Sequence, residues 1–321
     1  MSPRVLVTGA SGFVGGHVAA ALWERRQEAH AEGDFALRLL LRDPSSVHDT
    51  AYGPGGAVEV VRADLSDPGS LRGVCDGVDV VLHCASHIGD DERLTRAVND
   101  HGTRALMAEA ARAGAARTVY VSTAAVYGRG PFTGVLPGGA PPAPASATSA
   151  ARAAAENHVL DAGGLVLRPH LVLGTGDRWV VPGLAALMGT LSAGLRECGA
   201  RQSFVDVRAL ARAVVAAGVA ERATGAGVRH VNHPRPVGCS DLLAAVAARL
   251  DLCLPGTPLT VEEAHARLDG QPRALHHLGM LTVDHWFADD GFWAGLGIDP
   301  GADFERSLTD HASWYREHAN R

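Results

Sequence analysis

The sequence predicts an α/β fold built on a doubly wound parallel sheet, with a smaller C-terminal substrate lobe. Three observations carry this. Short apolar runs of β type alternate with longer helical patterns through the first half of the 321 residues, the pattern of repeated βαβ units. The first run, Val5-Leu6-Val7-Thr8, passes straight into the glycine-rich turn Gly9-Ala10-Ser11-Gly12-Phe13-Val14-Gly15. After Pro169 the alternation loses its regularity.

The elements follow in order. A buried strand over 5–8 leads through the glycines to a helix reaching about Arg26. Residues 28–34 lengthen the connection to a second strand at 37–41 and read as a surface insertion. Further strands are expected at 57–62, 78–84 and 118–122, with a helix over 95–113 between the last two. Segment 128–147 is rich in Gly, Pro and Ala and too long for a plain connector, so it reads as a lid or a disordered loop. A strand at 165–168, ended by Pro169, closes the core sheet. Helices at 181–193, 209–220 and 240–250 and a short strand at 228–232 then form the lobe. The expected division is a dinucleotide-binding core over 1–169 and a mainly substrate-binding lobe over 170–321, some elements of which return to the core.

Composition narrows the function. A net charge of −6 with 20% charged residues gives no electrostatic case for nucleic acid or an anionic membrane surface. No apolar run approaches the roughly 20 residues that span a bilayer. The chain enters an apolar strand at once, without a leader pattern, so a soluble, cytoplasmic protein is expected. Five cysteines, odd in number and never spaced CxxC, read as free thiols. The histidines lack ligand spacing, His276-His277 being adjacent, so no metal site is expected. All 29 basic residues are arginine, and the absence of lysine matters below.

Glycines between a buried strand and a helix allow a tight turn, close backbone approach to a pyrophosphate, and helix-to-strand packing. The helix N-terminus then offers free N–H donors and positive dipole to the phosphates. Gly9, Ser11, Gly12, Phe13, Val14 and Gly15 are the expected contacts, and a Rossmann-type nicotinamide dinucleotide site is the reading.

Thr8-Gly9-Ala10-Ser11-Gly12-Phe13-Val14-Gly15-Gly16-His17 resembles the opening of the extended short-chain dehydrogenase/reductase family. Arg62-Ala63-Asp64-Leu65, His83-Cys84-Ala85-Ser86, Asn99 with Gly102-Thr103, Ser122-Thr123-Ala124-Ala125-Val126-Tyr127-Gly128 and Leu167-Arg168-Pro169 match the family in order, over essentially the whole chain. Phe204-Val205-Asp206-Val207 and Trp314-Tyr315 resemble its hydroxysteroid-dehydrogenase-like branch. The resemblance implies that Asp64 and Leu65 hold adenine and that Cys84, Ala85 and Ser86 line the cofactor. The backbone after Pro169, near Leu171, would meet the nicotinamide amide. Arg42-Asp43-Pro44, after the second strand, resembles NADPH-using members, with Arg42 suited to a 2′-phosphate. NADP(H) is therefore the preferred cofactor; Asp43 as a ribose acceptor would favour NAD(H).

The family's chemistry rests on a Tyr and a Lys four residues later, with a Ser or Thr upstream. Thr123, beside Ser122, fits the upstream hydroxyl. Anchored on Glu156, the pair falls on Thr148 and Arg152. No lysine exists to restore it, and no tyrosine lies between Tyr127 and Tyr315. A threonine alcohol is far too weak an acid to replace a phenol with a pKa near 10, and an arginine does not give up its proton. Reactions that begin by oxidising an alcohol suffer most, since they need a base. Ketone reduction survives best, with the proton coming from a substrate hydroxyl or water and Ser122 and Thr123 positioning the carbonyl. Thr148 and Arg152 remain candidates for the catalytic and cofactor sites respectively.

This profile looks like the atypical ketoreductases that tailor aromatic, angucyclinone-like polyketides in antibiotic biosynthesis. Ser86, His87, Phe132, His170, Trp179 and Phe204 are candidate substrate contacts, although core or loop roles explain several equally well. A nucleotide-sugar epimerase or 4-ketoreductase, and a non-catalytic NADP-sensing protein, are the alternatives. A small-molecule substrate is the expected partner, and the sequence leaves the oligomeric state open.

Overall fold

A computed structural model describes residues 3–28, 35–46, 58–220 and 225–318. The expected insertion lies almost wholly outside them, as does residue 57 of the third predicted strand. Strand β1 (Arg4–Thr8) leads into helix α1 (Phe13–Glu28), followed by β2 (Ala36–Leu41), β3 (Val58–Arg62) and β4 (Val80–His83). The predicted 95–113 helix divides into α2 (Glu92–Arg96), a π turn (Ala97–Gly102) and α3 (Thr103–Ala113). Then come β5 (Arg117–Val121), β6 (Phe132–Val135), α4 (Ala147–Asp161), β7 (Leu165–Arg168), β8 (Leu171–Leu173) and α5 (Val180–Leu191). The remainder is β9 (Arg201–Gln202), β10 (Phe204–Asp206), α6 (Val207–Val219), β11 (Gly227–His230), β12 (Val237–Gly238), α7 (Cys239–Arg249), α8 (Val261–Arg267), α9 (Pro272–Leu281), β13 (His285–Phe287), α10 (Phe292–Leu296) and α11 (Phe304–His318).

Seven strands form one parallel sheet in the order β3-β2-β1-β4-β5-β7-β11. Strands β1, β2 and β4 are buried along almost their whole length, as expected where helices cover both faces of a sheet. Helices α1 and α6 supply Val18, Leu22, Leu210 and Val214 to one face; α3 and α4 supply Leu106, Met107, Ala155 and Val159 to the other. Strand order reverses between β1 and β4, which opens a crevice beyond their carboxyl ends.

Two expectations are corrected. The strand at 165–168 does not close the sheet, because β11, placed by the sequence in the lobe, pairs parallel to β7 outside it. Four residues of apolar character read the same in either position, and only long-range pairing decides. Segment 128–147 is neither a free lid nor structureless: β6 pairs parallel with β13, and Phe132 and Val135 pack on Tyr127 and Phe287. The chain therefore crosses between core and lobe after residue 170, since α6, β11 and α10 return to the core while α5, α7, α8, α9 and α11 build a second apolar cluster.

Candidate active site

The glycine turn is shaped by contact. Gly9 has φ +72°, and a Cβ there would lie 2.7 Å from the backbone N and Cα of Ala85. At Gly15 it would lie 2.1 Å from the Gly9 carbonyl oxygen, so α1 packs directly on β1. Gly12 donates its N–H to the Gly9 carbonyl at 2.9 Å, closing the turn beneath the first turn of α1, which carries no acidic side chain. A glycine cradle at an uncountered helix N-terminus fits a pyrophosphate. Phe13 turns its ring against Gly176, leaving its backbone as its contribution to the turn.

A buried hydrogen-bond chain ties this turn to the neighbouring strand and helix. Ala85 N–H donates to Thr8 Oγ1 (3.2 Å), Thr8 Oγ1 meets His83 Nδ1 (2.7 Å), His83 Nε2 meets Thr103 Oγ1 (2.9 Å), and the Thr103 hydroxyl donates to the Asn99 carbonyl (2.6 Å). The order of donors makes His83 the Nε2–H tautomer. Burial, reinforced by the charge of Arg152, pushes His83 down to about 3, so it stays neutral. Asn99 sits in the π turn and clamps His87, accepting from its N–H (2.7 Å) and donating to its carbonyl (2.8 Å). Gly102 lets the π turn meet Leu65, whose carbonyl a Cβ there would approach to 2.5 Å.

At the expected adenine end, one oxygen of Asp64 accepts from the Ser66 N–H and hydroxyl (2.8 and 2.7 Å). Burial opposes its ionisation, but Ser66 and Arg42 outweigh it and hold the carboxyl below its usual value. The Leu65 side chain is buried in the core, so any contact with adenine falls to its backbone. Arg42 is exposed just beyond β2. Asp43, next to it, accepts from the Ser45 N–H (3.0 Å) and hydroxyl (2.8 Å); these bonds, with Arg62 and Arg42, hold its carboxyl low. Cys84 is pushed up to about 12 by burial and is an inert thiol. Ser86 is exposed and His87 half-buried at the same strand end.

Ser122 does not present a free hydroxyl, a correction to its expected catalytic role. It is 2% exposed and donates to Glu156 Oε1 at 2.5 Å. Glu156 in turn accepts from Arg168 Nε (2.9 Å) and Nη2 (2.5 Å), a buried two-point ion pair. The Arg168 guanidinium lies 4.6 Å over the Tyr127 ring. Tyr127 is itself buried; its hydroxyl donates to His230 Nε2 (2.8 Å), whose Nδ1 faces the Ala288 carbonyl at 3.3 Å. Tyr127 is thus enclosed by structure, and burial raises its pKa.

Thr123 is half-buried; its Oγ1 accepts from Ala125 N–H (3.1 Å), which leaves the hydroxyl hydrogen to donate. Thr148 stands half-buried in the first turn of α4, behind the Ser146–Ser149 capping box. One turn on, Arg152 donates to the Val121 carbonyl (2.5 Å) and lies over Tyr120, while its Nε is buried without a partner. That orphaned donor, between the ends of β4 and β5, fits a ribose hydroxyl. Beyond β7, Pro169 is buried and its carbonyl accepts from Ala124 N–H (2.7 Å). Half-buried Leu171 lies two residues further on.

The expected substrate contacts separate. His170 is half-buried, and its N–H donates to Asn232 Oδ1 (2.8 Å). Phe132 packs in the Tyr127–Phe287 cluster. Trp179 is 59% exposed at the start of α5. Phe204 is corrected to a core residue, being 1% exposed, stacked on His233 and edge-on to Phe304. Sequence reasoning did not assign roles to His230, Gln202, Asn232 and His285, which the fold gathers around Arg168 and His170 from distant segments. Among the described residues no group of three His, Cys, Asp or Glu is placed to hold a metal ion, and no helix is long and apolar enough to cross a membrane.

Fold and cradle define a nicotinamide-dinucleotide-dependent oxidoreductase. The chain belongs to the NAD dependent epimerase/dehydratase family, whose model matches residues 5–232. It is similar to 2-alkyl-3-oxoalkanoate reductase of Stenotrophomonas maltophilia, 29% identical over 95% of this chain and 97% of that one. It also resembles UDP-glucose 4-epimerase of Azospirillum brasilense, 30% identical over 50% of this chain and 45% of that one. Several other curated relatives are matched over less than half of their own length. In fold it matches WbmH of Bordetella bronchiseptica in complex with NAD+, with TM-score 0.76, 20% identity, and 99% and 100% of the two chains covered.

Proposed function

We propose that this enzyme is an NADPH-preferring ketoreductase acting on a hydroxylated aromatic ketone of polyketide, angucyclinone-like type, with the proton drawn from a neighbouring substrate phenol or from water. What supports this reading is α4: counted from Glu156, the family's acid and lysine would fall on Thr148 and Arg152, beside a glycine turn shaped for a dinucleotide. Bound NADPH supplies the hydride. The chain's own part is to orient. Thr123, its oxygen held by Ala125, donates to the carbonyl oxygen, while Ser122 is spent on Glu156 and fixes the turn that carries Thr123. His83 is pushed to about 3 and His230 to about 4 by burial, so neither is a proton donor near neutrality.

The deciding measurement is NADPH oxidation with a polycyclic aromatic ketone bearing a phenol beside the carbonyl, against its O-methyl ether. Fast turnover of the phenol and slow turnover of the ether is expected, and Thr148→Ala should keep most of the wild-type rate. Loss of turnover in a folded, cofactor-binding Thr148→Ala would place the proton source on the protein instead. A nucleotide-sugar enzyme would instead be stabilised by uridine diphosphate in a melting assay.

For the cofactor, the reading makes Arg42 the phosphate ligand, beside Asp43, whose Oδ1 holds Ser45. Removing one charged contact to phosphate costs about 1.5–3 kcal/mol, so Arg42→Ala should weaken NADPH at least tenfold and leave NADH nearly unchanged in a direct titration. An unchanged ratio of the two affinities would remove Arg42 from the phosphate site.

A further inference from the structure

We infer that His285, with Asn232 and His170, forms a recognition subsite for a neutral hydroxyl group on an aromatic ring. This rests on the ketoreductase reading and names the substrate feature that would seat the ring. Two buried side-chain atoms here have no partner: His285 Nε2 and Asn232 Nδ2. Both residues adjoin His170. Asn232 Oδ1 holds the His170 N–H at 2.8 Å, and the His285 ring stacks on that of His170, centroids 5.6 Å apart and planes 6° from parallel.

The hydrogen-bond partners fix which nitrogens accept. Gln202 donates both amide hydrogens into the 281–283 turn, to the Leu281 and Val283 carbonyls at 2.9 Å each, so its Oε1 faces His170 Nε2 at 3.2 Å and accepts from it. His170 Nδ1 is therefore a lone pair. His285 Nδ1 faces the Val283 carbonyl at 3.0 Å and must donate, so in the uncharged ring the unpartnered Nε2 is a lone pair as well. His285 Nε2 and Asn232 Nδ2 are thus buried without the partners that buried polar groups ordinarily have, and both residues adjoin His170, whose Nδ1 carries a lone pair. Burial keeps His170 uncharged, so the site attracts no carboxylate or phosphate.

The surroundings suit an aromatic ring. Phe132 meets His285 edge-on at 5.5 Å, and Phe287 contacts His170, Phe132 and Tyr127. The cluster stands directly after Pro169, at the carboxyl end of β7, where ligands of open α/β sheets lie. A phenol O–H would donate to His285 Nε2 or His170 Nδ1, and Asn232 Nδ2 would donate to a ring oxygen.

The test is equilibrium titration of the NADP+-loaded protein at pH 6.5 with 6-hydroxy-1-tetralone and 6-methoxy-1-tetralone. The hydroxy compound should bind about tenfold more tightly, a difference matching one hydrogen bond of about 1.4 kcal/mol. His285→Phe should erase that preference by weakening the hydroxy compound alone, and His285→Gln, which returns an acceptor, should recover part of it. Equal binding of the two compounds to the wild type, or a preference that survives in folded His285→Phe, would overturn the assignment. Nitrogen-15 NMR of labelled histidine tests the same contact without a variant: the bare Nε2 resonance of His285 should move upfield with the hydroxy compound only, and no movement overturns it. Because binding is read apart from NADPH oxidation, a bound but unreduced tetralone would count against the ketoreductase reading and leave the subsite standing.

Discussion

Glu156→Ala is expected to destabilise the protein by about 3–5 kcal/mol, since breaking a buried ion pair leaves the partner's charge uncompensated. Glu156 and Arg168 are 2% and 4% exposed and bonded through two oxygens and two nitrogens. The loss also strands the Ser122 hydroxyl, which donates to the same carboxylate. Urea unfolding gives the size of the effect. Glu156→Leu combined with Arg168→Met should recover most of the loss, because two apolar side chains of similar volume remove both charges together. A single-variant cost below about 1 kcal/mol would mean that water or a shifted side chain reaches Arg168, against the packing described.

The pair also helps to fix the turn that carries Thr123. Ser122 N–H and Ala124 N–H donate to the Leu167 and Pro169 carbonyls, both at 2.7 Å. Glu156 joins α4 to the same strand ends from the side chains. The 122–125 turn, which presents Thr123, is thus fixed independently of Thr148. The same is true of the cradle: Gly9, Ala85, Thr8 and His83 are held together by backbone contact and neutral hydrogen bonds rather than by the α4 pair.

What was readable in the sequence follows the range of the interactions. The strands of the first half and the glycine turn are local patterns, and period and turn chemistry suffice for them. That some elements beyond 170 return to the core was expected, but that β11 is one of them was not readable, because its pairing with β7 spans some 60 residues and its four residues suit either sheet. Segment 128–147 misled for a related reason: its strand is short and takes its partner, β13, from far along the chain. Ser122 was singled out by its motif, but its commitment to Glu156 depends on α4 facing the end of β5. His285 and Asn232 carry no motif at all. The signal that exposes them is an unmet hydrogen bond, which exists only once the chain is folded.

Acid should unfold the protein steeply once the pH falls below the range where free histidines titrate. Burial pushes His83 and His170 down to about 3 and His230 to about 4, against roughly 6.5 in an unfolded chain. The unfolded state therefore binds more protons below pH 6.5, and stability present above that value is lost as the pH falls towards 4. Each such histidine contributes a slope of about 1.4 kcal/mol per pH unit in that window, so the three together approach about 4 kcal/mol per unit between pH 5.5 and 4.5. Urea midpoints measured from pH 7.5 to 4.5 should be flat at the top and fall sharply below 6.5. His83→Gln removes one proton from the balance and should reduce the slope by about a third, whatever it does to stability at neutral pH. A wild-type slope of one proton or less would show that these rings are already protonated in the folded state. The tautomers that make Thr8, Thr103 and Tyr127 their partners would then be wrong, and with them the neutral character of the site.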